Sequence, residues 1–129
     1  MRAGLMACVI FHFVLSGLHG ASHLQVPVPL NEAQQSFIAL IVLAAPPIGA
    51  CLAFTRHRVF GAALVCVAMS ASLIFGIAYH FVIDSADHVA RVPVGPGHRL
   101  FVVTAVAIAF SEMLGAACGA IAWRRWTAP

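Results

Sequence analysis

Residues 59–88 read VFGAALVCVAMSASLIFGIAYHFVIDSADH, and from Val59 to Ile83 the run holds no Asp, Glu, Lys or Arg. At about 1.5 Å of rise per residue this length crosses roughly 30 Å of hydrocarbon, which predicts a membrane helix. It closes with His80, Asp84, Asp87 and His88, two imidazoles and two carboxylates where such a helix leaves the bilayer. At helical spacing His80, Asp84 and Asp87 fall within about 60° of arc, with His88 at the edge of that face. Four candidate metal ligands therefore gather at one helix end.

Working outward, three further apolar runs reach spanning length, and the chain as a whole is 62% hydrophobic and 9% charged with a mean hydropathy of +0.99. That composition excludes an ordinary soluble domain and makes the lipid bilayer the first partner. The expected architecture is all-α, a single transmembrane domain over residues 1–129 with helices at about 3–22, 35–54, 59–84 and 100–123. Short connections make an antiparallel four-helix bundle the economical packing. Orientation follows from the arginines. Arg2, Arg56, Arg58, Arg124 and Arg125 fall at one end, Arg91 and Arg99 at the other, so both termini are expected in the cytoplasm of a multi-pass cell-membrane protein. The net charge of +3 reports this topology and gives no reason to expect nucleic acid as a partner. The first segment shares features with a secretory signal, but His12 at its centre and its spanning length favour a retained helix.

That first segment places His12, His19 and His23 at offsets of seven and four, within about 40° of one another on a helix. An imidazole stripe thus faces one direction. In the loop that follows, Pro27 and Pro29 predict an extended path, and Asn31 with Gln34 has the spacing of a capping box for the second helix. Glu32 reads as a favourable charge in that first turn. Pro46-Pro47 lies near mid-depth of the second segment, where two missing N–H groups predict a kink.

The fourth segment contains Glu112, the one acid deep in an apolar run. A carboxyl at mid-bilayer is costly and by default a functional candidate. Ala105, Ala109, Gly115, Ala116 and Gly119 share its face, which suits close helix contact, and His12 reaches a similar depth. A His12–Glu112 hydrogen bond is therefore expected. Cys8, Cys51, Cys66 and Cys118 fall one per segment without CxxC spacing and read as packing residues in the cytoplasmic half.

Antiparallel helices bring the ends of segments 1 and 3 to one level, where His19 and His23 meet His80, Asp84, Asp87 and His88. Imidazole with carboxylate suits a divalent transition metal, Zn, Fe, Mn, Co or Ni, better than Cu(I). The expected ligands are His19, His80 and Asp84 first, then His23, Asp87 and His88. The function expected is metal handling or a metal-dependent membrane process. The same His19 and His80 would alternatively hold haem b between two helices, as in a membrane cytochrome or redox subunit. A small proton-coupled transporter using His12 and Glu112 is a further alternative, as is a structural subunit of a homo-oligomer or larger membrane complex. No substrate pocket is marked, which leans away from an enzyme.

Overall fold

The computed structural model describes residues 1–26 and 28–128, so Pro27 and Pro129 lie outside the described residues. Four helices are long and apolar enough to cross a membrane: α1 (Arg2–Ser22), α2 (Glu32–Leu52), α3 (Arg58–Val82) and α4 (His98–Thr127). Among the described residues there is no strand.

Helix α2 begins at Glu32 because the predicted capping box forms. Asn31 Oδ1 accepts from the Gln34 amide and Gln34 Oε1 accepts from the Asn31 amide, both at 2.9 Å. The two satisfied donors start the helix three residues earlier than its apolar run implied. Helix α4 likewise starts early, at His98, directly after Gly97 in the left-handed region at φ 84°. A side chain at Gly97 would strain the backbone and meet Gln25 Cβ at 2.7 Å, so the loop preceding α4 reverses against the end of α1 only with glycine there.

Contacts between helices occur in opposite order along each pair. On α1 and α4, His19 meets Thr104, His12 meets Ser111 and Cys8 meets Cys118. On α2 and α3, Phe37 stacks on Phe75 while Gly49 faces Gly61. Helix α3 runs antiparallel along α4, with Gly119 against the Cys66 backbone and Glu112 beside Gly76. Toward the termini the packing is close. A Cβ on Gly61 would meet the Gly49 carbonyl at 2.5 Å, and one on Gly119 would meet the Cys66 amide at 2.6 Å. Small residues let backbones approach there, as expected of membrane helices. Leu5, Val9, Ala50, Ala53, Val65 and Met69 fill the core at that end.

The prolines act differently from the expected kink. Pro46 and Pro47 occupy the first turn of a renewed α segment, Ala45–Leu52, where a missing N–H is tolerated. The break is taken up in front of them by the wide-turned stretch Ile38–Ala44, in which the Ala45 amide reaches back five residues to the Leu40 carbonyl. Neither Pro46 nor Pro47 can donate to the Val42 carbonyl, and His12 Nε2 does so from α1 at 3.2 Å. His12 thereby closes a gap in the α2 backbone.

A second wide turn, Ala78–Val82, ends α3, after which Ile83 turns extended at φ −78° and ψ 128°. The chain then doubles back, and the Val89 amide donates to the His80 carbonyl at 3.0 Å. Val26, Val92 and Phe101 form a small apolar cluster under these loops. The outside of the bundle is apolar, with Ile10, Phe13, Leu40, Phe60, Ile74 and Phe110 all exposed.

Candidate metal centre

Three of the predicted ligands come together. His19, His80 and Asp87 are buried, and one ligating atom of each lies within 4.8 Å of the others. A tetrahedral ion with bonds of about 2.0–2.1 Å holds its ligand atoms roughly 3.4 Å apart, so small side-chain rotations close the set.

The tautomers follow from the hydrogen bonds. The Thr104 hydroxyl donates to the Leu100 carbonyl at 2.6 Å, so its oxygen accepts from His19 Nδ1 at 2.9 Å. His80 Nδ1 lies 3.0 Å from the Asp87 carbonyl, which can only accept, and 3.5 Å from Asp87 Oδ2. In both rings Nδ1 holds the proton, leaving Nε2 with a free lone pair. This matches a metal-binding histidine whose other nitrogen is tied to the protein. His19 Nε2 and Asp87 Oδ1 are buried without a hydrogen-bond partner among the described residues. Unsatisfied buried polar atoms are uncommon, and here two of them face one cluster.

His23 stands beside the set. Its Nε2 is 3.9 Å from Asp87 Oδ1, and its ring centroid is 4.9 Å from that of His19. Burial holds the His23 imidazole below its ordinary pKa, against the upward pull of Asp87. The Asp87 carboxyl is pushed above the usual range by burial, against the pull of His80 and His23. Phe101, fully buried, is the platform for the three imidazoles, with ring centroids 4.8 Å from His19, 5.3 Å from His23 and 5.6 Å from His80.

Asp84 and His88 lie elsewhere. Asp84 is exposed and takes two hydrogen bonds of 2.7 Å from Arg91, whose guanidinium holds its carboxyl below the usual range. His88 Nδ1 accepts from the Ala90 amide at 3.1 Å. The helical face that grouped Asp84 with His80 does not exist, because α3 stops at Val82. Asp87 arrives by the returning loop instead. His12 and Glu112 also differ from expectation: no hydrogen bond joins them among the described residues. His12 Nδ1 pairs with Ser111 at 3.2 Å, and Glu112 Oε2 is buried without a partner.

Below the three ligands lies a cavity of roughly 320 Å³, with His19, His23, His80 and Asp87 at one end and Ser72 and Glu112 also on its wall. Ile38, Val42 and Leu43, from the wide turn of α2, line it as well. Sequence reasoning missed Phe101 and Thr104. The available signal was the spacing of Thr104, Ile108 and Ser111 on the face of α4 that carries Glu112.

No protein-family model, curated protein or solved structure significantly matches the chain.

Proposed function

We propose that this is a multi-pass membrane protein that binds one divalent transition-metal ion through His19 Nε2, His80 Nε2 and Asp87, with His23 available as a fourth donor, and that it serves metal handling. Support comes above all from two buried imidazoles, each with Nδ1 tied, and from His19 Nε2 and Asp87 Oδ1, which are buried in the same cluster without a partner. Nitrogen and oxygen donors in this mixture suit Zn, Fe, Mn, Co or Ni. The ring spacing favours one ion over haem. Two imidazoles on one tetrahedral ion have centroids about 5 Å apart, whereas rings on opposite faces of a haem iron stand about 6 Å apart with the macrocycle between them. His19 and His80 have centroids 4.9 Å apart at 78°.

Membrane residence is supported by four apolar helices of spanning length and an apolar outer surface. The termini are assigned to the cytoplasm. Arg2, Arg56, Arg58, Arg124 and Arg125 lie at the end that carries the termini, against Arg91 and Arg99 at the histidine end. On this orientation the metal site is near the outer surface.

Equilibrium dialysis of the detergent-purified protein against Zn(II) tests the assignment. One tightly held ion is expected, and His19→Ala with His80→Ala should weaken it more than about 100-fold, since two of three ligands are gone. Equal affinity in that double variant, as a purely structural subunit predicts, would refute the site. A Soret band on adding haem, lost in the same variant, would establish the cytochrome instead.

A further inference from the structure

The cavity extends past the ligands that bind the ion. Along α3, Ser72 and Gly76 stand one α-helical turn apart, a rise of about 6 Å, and His80 follows in the wide turn; all three line the cavity. Glu112 of α4 faces the same space. It is 2% exposed, and its Oε2 has no hydrogen-bond partner among the described residues. Ser72 is 1% exposed, and its hydroxyl is likewise without a partner. A buried serine in a helix ordinarily bonds the carbonyl one turn back, so this hydroxyl is free for something else.

Gly76 separates these groups from the histidines. A Cβ built there would lie 3.5 Å from Glu112 Oε2 and 4.0 Å from His80 Cδ2. The space between carboxyl and imidazole is thus the space a side chain at position 76 would take. A bare carboxylate is expensive in apolar surroundings and is neutralised by a proton or a cation; a cation that displaces the proton also takes the serine oxygen as a further donor. Oxygen donors from carboxylate and hydroxyl suit harder divalent ions such as Mn, and hold borderline Co(II) more weakly than an imidazole-rich set does.

We propose that Glu112 and Ser72 form a second cation position in this cavity, reached from the histidine site across Gly76, so that the chain offers cations two positions at different depths. The proposal rests on the metal reading above and adds to it a second, deeper position on the same cavity wall. His12 has no place in it, because both of its nitrogens are engaged in joining α1 to α2 and α4.

Co(II) titration of the full chain in detergent, followed by calorimetry and the visible d–d spectrum, separates the two stations. Wild type should bind two ions per chain, the first tight with an intense low-symmetry spectrum, the second at least tenfold weaker with a faint one. Glu112→Gln and Ser72→Ala should each retain the first ion, which also shows that they fold, and lose or further weaken the second. One ion in wild type, or two persisting in Glu112→Gln, overturns the second station and leaves the histidine site standing. Loss of both ions in Glu112→Gln would place Glu112 in the first site and overturn the proposal as well. No bound ion in wild type would refute both stations together.

Discussion

The two ends of the bundle are built from similar apolar helices and do opposite things. Toward the termini, Gly49 against Gly61 and Gly119 against Cys66 bring the backbones of α2, α3 and α4 into contact. Toward the histidine end, the wide turns Ile38–Ala44 and Ala78–Val82 set side chains at spacings that a regular helix does not provide. A cavity opens there, and polar atoms are left in it without partners. Close packing at one end makes a rigid base on which unsatisfied groups at the other can be held in place.

The contrast predicts that the ends fail separately. Gly61→Val would drive a branched side chain into the Gly49 carbonyl, and overpacking of this kind costs about 1–3 kcal/mol. Thermal unfolding in detergent should show the loss, while the affinity of the folded protein for Zn(II) stays within about twofold of wild type. A large fall in affinity would mean that the two ends are coupled. Thr104→Val should do the reverse. It keeps the shape of the side chain but removes the oxygen that accepts from His19 Nδ1, and loss of such a partner typically costs about 10–100-fold in metal affinity. Unchanged affinity by competition with a chromophoric chelator would contradict the assigned tautomer.

Proton dependence sharpens the same division. Burial raises the Asp87 carboxyl, so the folded metal-free protein holds that proton more tightly than the unfolded chain. Its stability contribution is present at low pH and is lost as pH rises through the raised value. Metal binding needs the carboxylate, so Zn(II) affinity should instead rise over the same window. Opposite slopes of thermal midpoint against pH for the metal-free and metal-loaded forms are the expected result, and Asp87→Asn should flatten the carboxylate part of both. The smallest effect belongs to Asp84→Asn. That carboxylate is exposed and paired with Arg91, so Zn(II) affinity should change by less than about twofold. A tenfold loss would restore Asp84 to the ligand set.

Much of this was legible in the chain. Four apolar runs, the Asn31–Gln34 capping box and the His12–His19–His23 stripe each depend on local spacing, and each is present in the structure. His19 and His80 meet because antiparallel packing levels the ends of α1 and α3. Asp87 could not be preferred over Asp84 from spacing, since helical periodicity was extended past Val82, where the backbone leaves the helix. The partner of His12 was also hidden. It depends on a carbonyl that two prolines leave open, and knowing that a helix is interrupted does not reveal which neighbouring side chain completes it. Phe101 and Thr104 look like ordinary membrane residues until the histidines are placed against them.

The most direct measurement is X-ray absorption at the zinc edge on protein loaded with one equivalent of Zn(II). The histidine site predicts a shell of nitrogen and oxygen at about 2.0–2.1 Å with the outer-shell scattering of two or three imidazoles. Sulfur at about 2.3 Å would place the ion on the cysteines near the termini, where Cys8 and Cys118 have sulfurs 3.3 Å apart, and would contradict the site proposed at the histidine end.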